Sequence, residues 1–357
     1  MKKEIAIGLL SIFVLVGCGS DKNTATNNLV QTGTFDKSST DIIFNTIKKF
    51  PENVQLSIAK IKDGQVDYYG ALHSGKTVTT IENSTNTFMI GSITKVFTST
   101  LLAQMVLENK IALDEDIGNR LPYALNNNTS MSYRQLANHT SGLPREAGID
   151  QENDPKYNTF HALDMTDVET YLKHDLKLEH PQGTHLYSNL GVNILGYMMT
   201  HIENKPYETL LHERIFNQLG MQQSTTFRAN AQSRLVPAVG ELDIPFPIAF
   251  AAAGGIYSTV EDLYKFSLAS LGDEPEYLLT QETTLNVDNI TSIGLGWFIE
   301  RKTELNLRYY YHGGATQGYR SIIVLDRENQ NGIIVLSNLP LEGNIGDIHN
   351  LGMALMN

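Results

Sequence analysis

With 357 residues, 41% of them hydrophobic and 18% charged, the chain has the composition of a globular protein of one or two domains, not of a disordered one. A formal charge of −12 leaves no excess of basic residues for a nucleic-acid footprint, so that class of partner is excluded from the reading. The single cysteine, Cys18, excludes an internal disulfide.

At the start, Lys2 and Lys3 precede the apolar run Ile5–Val16, twelve residues long. At about 1.5 Å per residue this run is too short for a hydrocarbon core roughly 30 Å thick. A basic start and a short apolar run read as a secretory signal over 1–17. Leu15-Val16-Gly17-Cys18 resembles a bacterial lipobox. That resemblance implies cleavage before Cys18, lipidation of its sulfur, and a cell-envelope location with the folded domain periplasmic or extracellular. The polar, aperiodic stretch that follows reads as a flexible tether over 18–39, with the folded domain over 40–357.

Val54–Ile61 alternates, Asp63-Gly64 supplies a tight turn, and Gln65–Leu72 continues as a second strand, which together predict a hairpin. Gly91–Lys110 carries the apolar spacing of a helix at Val96, Leu101, Leu102, Met105 and Val106. Thr166-Asp-Val-Glu169 and Ser258-Thr-Val-Glu261 read as capping boxes, and Pro206–Leu219 as a helix that stops at Gly220. From Gly294 the pattern returns to strands: Leu295–Glu300, Leu307–Tyr311, Tyr319–Leu325 and Gly332–Ser337. Strands at both ends around a helical middle predict an α/β (α+β) fold. Its antiparallel sheet is flanked by helices, with an all-helical subdomain, roughly 100–255, inserted and a site between the two parts.

Several common chemistries are absent from the sequence. There is no Gly-x-Ser-x-Gly elbow, no Walker or dinucleotide glycine pattern, and His212–Phe216 starts like a zinc motif but lacks the second histidine. No metal and no cofactor is implied.

Ser-x-x-Lys occurs twice, at Ser57–Lys60 and Ser92–Lys95, where about one match is expected by chance. Ser57 lies in an alternating strand, and residues three apart on a strand point to opposite faces. Ser92 follows Gly91 at a helix start, where residues i and i+3 share a face and free N–H groups favour developing negative charge. Only the second pair can work together as nucleophile and base; the bland alternative makes Ser92 a helix cap. Tyr187-Ser-Asn189 opens another helix and can direct a phenol and an amide into one cavity. His312-Gly313-Gly314-Ala315 ends a strand, and paired glycines there suit close approach of a substrate backbone.

In this order, Ser-x-x-Lys, Tyr-x-Asn and His-x-Gly resemble the motifs of class C β-lactamases, serine DD-peptidases and their D-aminopeptidase and esterase relatives. Phe88–Lys95, Leu136–Pro144, Tyr187–Gly191, Ala253–Asp262 and Gly313–Arg320 are also similar to segments of that group, collinear over about 40 to 340. The resemblance implies a β-lactamase/transpeptidase-like fold with Ser92 as nucleophile, Lys95 easing removal of its proton, and Tyr187 relaying protons. It further implies Asn189 binding the substrate amide, the N–H groups of Ser92 and Ala315 as the oxyanion hole, and Gly314 and His312 lining the substrate.

True class C enzymes usually carry Lys-Thr-Gly where this chain has His312-Gly-Gly. That departure moves the expectation toward hydrolysis of cell-wall D-alanyl peptides by a DD-carboxypeptidase or endopeptidase. The alternatives are a β-lactamase or small-ester hydrolase on the same residues, or a non-catalytic penicillin-binding sensor. The expected partners are a peptidoglycan-type peptide or β-lactam and, through Cys18, a membrane. A histidine at 312 is further expected to gain charge in mild acid and so draw the substrate carboxylate more strongly as pH falls from 8 to 6.

Overall fold

The computed structural model describes residues 25–146, 164–240, 251–302, 307–340 and 345–356. The signal and the lipidation reading at Cys18 lie outside the described residues.

Twelve strands are described along the chain. They are β1 (Thr26–Asn28), β2 (Gln55–Lys62), β3 (Gln65–Ser74), β4 (Thr77–Ile81), β5 (Phe88–Met89) and β6 (Tyr257–Ser258), followed by β7 (Leu285–Asn286), β8 (Thr291–Ile293), β9 (Phe298–Lys302), β10 (Leu307–Ala315), β11 (Arg320–Asp326) and β12 (Asn331–Ser337). Ten form one sheet in the order β1-β4-β3-β2-β12-β11-β10-β9-β8-β7, while β5 and β6 pair separately. Every pairing is antiparallel except β1 with β4. The N-terminal hairpin and the C-terminal strands therefore meet at β2–β12 in the middle of the sheet.

The central strands read as nearly continuous apolar runs because both faces of the sheet are covered. Ile58, Ile322, Val324, Ile333 and Val335 face Ile43 and Ile47 of the helix Lys37–Ile47, and Ile348 and Leu351 of the C-terminal helix Ile345–Met356. Their alternate neighbours Ala59, Ile61, Ile323, Leu325 and Ile334 share the second core with Val96, Phe97, Leu263 and Phe266. Those four come from the helices Thr94–Leu107 and Val260–Leu271. Between Leu107 and Ala251 every described element is helical. The hairpin turn has both central residues at positive φ, Asp63 at 50° and Gly64 at 74°, as a tight turn between twisted strands requires.

The structure differs from the sequence reading in four places. Residues 25–39 are not tether: β1 pairs with Thr77–Thr79, and Phe35 is fully buried with its ring 4.8 Å from that of Tyr69. The first of the two helices starts at Met165 under Asp164, because an aspartate at its third position, Asp167, completes that box as well as Glu169 would complete the later one. The second starts at Val260 with Thr259 as cap, its hydroxyl accepting from the Asp262 N–H. Gly91–Ile93 forms a 3-10 turn that leads into the α-helix Thr94–Leu107, so Ser92 precedes the helix proper.

Candidate active site

Ser92 lies at the junction of sheet and helical subdomain, and the backbone there is held by two glycines. Gly91 has φ +53°, and a Cβ on it would stand 2.7 Å from the Ala315 nitrogen. On the facing strand, a Cβ on Gly314 would collide with the Ile90 carbonyl oxygen and the Ser321 hydroxyl. The Ser321 hydroxyl donates to that same Ile90 carbonyl at 2.7 Å. The third motif is thus pressed against the first through bare backbone.

Strand alternation sets the direction of the Ala315 N–H. Thr316 N–H bonds back to the Tyr319 carbonyl at 2.9 Å, on the β11 side. The Ala315 N–H therefore points to the opposite edge, toward Gly91 and Ser92. β9 pairs only as far as Tyr311, so His312–Ala315 is not paired with β9 on that edge. Ser92 itself sits in a first helical turn, where N–H groups lack a partner inside the helix.

Lys95 is fully buried and its Nζ has three neighbours: Ser92 Oγ at 3.1 Å, Asn189 Oδ1 at 2.6 Å and the Ala253 carbonyl at 2.7 Å. Burial holds its pKa well below the ordinary lysine value, opposed by the charge of Glu146 and reinforced by that of Arg145. The consequence follows from valence. A neutral amine has two hydrogens and one lone pair, and Asn189 Oδ1 and Ala253 O can only accept. In that neutral form both hydrogens would go to them, and the lone pair would face the Ser92 hydroxyl 3.1 Å away.

Lys95 Nζ and the Arg145 guanidinium each lie 4.9 Å from the centroid of the Tyr187 ring, and the Ser92 hydroxyl is near enough to the phenol to favour its ionised form. Burial pushes the phenol above its ordinary value, against the lowering effects of Ser92 and Arg145, so at neutral pH it carries its proton. The loop that presents it is pinned on both sides. Ser188 caps the helix Asn189–Glu203 by accepting from Gly191 N–H at 2.9 Å, and its hydroxyl donates to the Pro144 carbonyl at 2.6 Å. The Ser188 N–H donates to His139 Nδ1 at 3.2 Å, and the Asn189 N–H to the Arg145 carbonyl at 2.8 Å. Asn189 Nδ2 donates to Glu146 Oε1 at 2.5 Å, completing a Lys95–Asn189–Glu146 chain.

The other serine of the doubled motif stands elsewhere. Ser57, in β2, donates to the Asn83 carbonyl at 3.2 Å and is fully buried.

His312 corrects the expectation attached to it. Its Nδ1–H donates to the Gly313 carbonyl at 2.7 Å, and Nε2 is buried with no hydrogen-bond partner. Burial, and secondly the charge of Lys95, push its pKa down to about 3. It stays neutral from pH 8 to 6 and cannot attract a carboxylate by charge in that range.

Ser92, Tyr187, Asn189, His312, Gly314 and Ala315 line one cavity of about 450 Å³. Arg145, Phe298 and Arg320 share its wall, and Glu146 and His139 stand behind Asn189 and Tyr187. Sequence reasoning does not single these out, although Leu136–Pro144, which holds His139, and Gly313–Arg320 are among the segments that resemble the family. Among the described residues no group of side chains could hold a metal ion.

Known proteins of similar sequence and shape share this architecture. The chain is 27% identical over 287 residues to Beta-lactamase-like protein 2 of Dictyostelium discoideum, covering 72% of this chain and 50% of that one. It is 25% identical over 310 residues to Protein flp of Staphylococcus aureus, covering 80% and 60% respectively. The chain thus spans about half to three fifths of these relatives. A β-lactamase/D-alanine carboxypeptidase from Yersinia pestis, complexed with citrate, superposes with a TM-score of 0.73 at 21% identity, covering 88% of this chain and 98% of that one. An octameric penicillin-binding protein homologue from Pyrococcus abyssi gives 0.71 at 21% identity, covering 89% and 76%. At those identities the likeness is one of fold. The family model described as Beta-lactamase matches residues 43–355, from within the first helix to the last, and the chain belongs to that family.

Proposed function

We propose that the protein is a serine hydrolase that cleaves D-alanyl peptides of cell-wall type through an acyl-enzyme on Ser92. The observation that carries this reading is the buried Lys95 amine, whose Nζ stands 3.1 Å from Ser92 Oγ and is held by the Asn189 and Ala253 acceptors; in its neutral form it turns its lone pair to the Ser92 hydroxyl. Ser92 Oγ attacks the scissile carbonyl while its proton passes to Lys95 Nζ, and the carbonyl oxygen gains negative charge between the N–H groups of Ser92 and Ala315. The C–N bond breaks as the leaving nitrogen takes a proton through the Tyr187 hydroxyl, which stays protonated at rest and so serves as donor. Water then attacks the ester, its proton returning through the same groups, and Ser92 is restored.

The bare edge at His312–Ala315 suits an extended peptide, which supports a peptide substrate. Incubation with labelled penicillin and with a D-alanyl-D-alanine peptide tests the reading. Acylation with slow release of penicillin and turnover of the peptide supports a peptidase, fast release of penicillin makes the enzyme a β-lactamase, and no adduct with either refutes the hydrolase. Attachment to a membrane through lipid on Cys18 is proposed alongside it, supported by the position of this sole cysteine behind a short apolar run.

A further inference from the structure

Asn189 is held at both ends of its side-chain amide. Its Oδ1 accepts from Lys95 Nζ at 2.6 Å, and its Nδ2 donates to Glu146 Oε1 at 2.5 Å. A carboxylate can only accept, so the end of the amide that meets Glu146 must be the NH2 end, and the oxygen is thereby sent to Lys95. The reversed amide would set two oxygens against each other at Glu146 and take an acceptor away from the buried Lys95 amine. Glu146 thus selects the orientation of Asn189, and the second Nδ2 hydrogen stays available to a substrate.

Lys95 depends on that acceptor most when it is charged. Its three partners are a hydroxyl, an amide oxygen and a backbone carbonyl, none of them a carboxylate. An ammonium there is fully buried, which is costly without a counter-charge. The titratable and charged groups around it come from three segments. His139, Arg145 and Glu146 follow the helix Tyr133–Ala137, Tyr187 precedes the helix Asn189–Glu203, and His312 lies on β10. Burial keeps both histidines neutral, and Tyr187 holds its proton. Arg145 opposes an ammonium, but its side chain is 66% exposed against 41% for Glu146, so solvent screens it more. Among the described residues Glu146 is therefore the counter-charge, and one amide links it to Lys95. A carboxylate pulling on Nδ2 also makes Oδ1 the stronger acceptor, since linked hydrogen bonds polarise one another.

We infer that Glu146 is a positioning residue: it fixes the Asn189 amide and, through it, steadies the positive charge that Lys95 acquires on taking the Ser92 proton. The inference rests on the proposed hydrolase reading, in which Lys95 receives that proton. The sign of its effect follows from charge. An anion favours the protonated amine, so Glu146 works against burial and sets the pH at which the base becomes free. Without that charge Lys95 gives up its proton at a lower pH, and the ammonium formed during acylation is less well stabilised.

The test compares the wild type with Glu146→Gln, which can keep the bond to Asn189 through its amide oxygen and removes only the charge. Lys95 is titrated directly by NMR of protein labelled with carbon-13 at lysine Cε, its signal assigned by its loss in Lys95→Arg, so no turnover is needed. Its midpoint should fall by about one pH unit in Glu146→Gln, as for loss of one nearby, partly screened charge. On a neutral ester, the acid limb of kcat/KM should move down by the same amount, and the plateau of kcat should drop about tenfold. Glu146→Asp, which keeps the charge, should hold the limb near its wild-type position. A midpoint and limb that stay in place or move up in Glu146→Gln overturn the inference, even if kcat or stability falls, because a merely structural role would do that much. Should Glu146→Gln fail to fold, the same downward shift is required of Glu146→Ala, and its absence overturns the inference equally. Failure of the hydrolase reading looks different: the wild type forms no penicillin adduct, while the Lys95 midpoint still depends on Glu146.

Discussion

Gly91 and Ala315 stand so close that a methyl group on the first would lie 2.7 Å from the backbone nitrogen of the second. The N–H proposed to receive the oxyanion therefore depends on a residue without a side chain. Gly91→Ala should lower kcat by about a hundredfold, the effect of losing one oxyanion donor. It should also cost about 1–2 kcal/mol of stability for a left-handed backbone at φ +53°. Steady-state kinetics on a neutral ester, alongside denaturant unfolding, separate the two effects, and full activity in a destabilised variant would detach Ala315 from the chemistry.

Tyr187→Phe keeps the ring beside Lys95 and Arg145 and removes only the hydroxyl. The loss in kcat should be about 10²–10⁴-fold, as for a general acid–base group, with stability changed by no more than about 1 kcal/mol. Because burial raises this phenol, the alkaline limb of the wild-type rate should not fall below the ordinary tyrosine range. A variant with near-wild-type kcat would assign proton transfer to Lys95 alone.

His312 leads to a prediction about stability. In the unfolded chain its imidazole takes up a proton near the ordinary value of 6.5, whereas in the fold it holds off protonation to about 3. Between those values the unfolded state binds the extra proton. Stability is therefore lost as pH falls through this window, by at most about 1.4 kcal/mol per pH unit from this residue. His312→Gln should make the decline between pH 6.5 and 4 (test conditions) shallower by about 1 kcal/mol per unit, read by urea unfolding. An identical slope in the variant would place a charged imidazole in the fold.

For the membrane anchor, Cys18→Ala should move the protein from the membrane to the soluble envelope fraction. Detergent phase partitioning with mass spectrometry of the N-terminal peptide checks it. An unmodified Cys18 in a soluble wild type would dismiss lipidation.

The parts of the site that were legible in the sequence are local. Ser92 and Lys95 are three apart at a helix start, and Tyr187 and Asn189 flank one cap residue, so spacing alone brings each pair to one side. The glycines of the third motif were legible as a close approach, though not what approaches: Ile90 and Ser321 come from distant segments. Arg320, Arg145 and Glu146 gave no signal of their own, because a guanidinium or carboxylate acquires its role only from what the fold leaves beside it. His312 was misjudged for the same reason, since its pKa is set by burial and by Lys95, which lies far away in sequence.

The fold was legible where strands alternate or run apolar through both cores. It was not legible at Thr26–Asn28, three polar residues whose strand character comes entirely from pairing with β4.

The central claim is that Ser92, and not Ser57 of the same tetrapeptide, is acylated. Peptide mass spectrometry after brief exposure to labelled penicillin decides it. The adduct should map to the segment containing Ser92 and vanish in Ser92→Ala, while that variant unfolds within about 1 kcal/mol of the wild type, the range for loss of a single cap or hydrogen bond. An adduct on Ser57, or one that survives Ser92→Ala, would contradict the account.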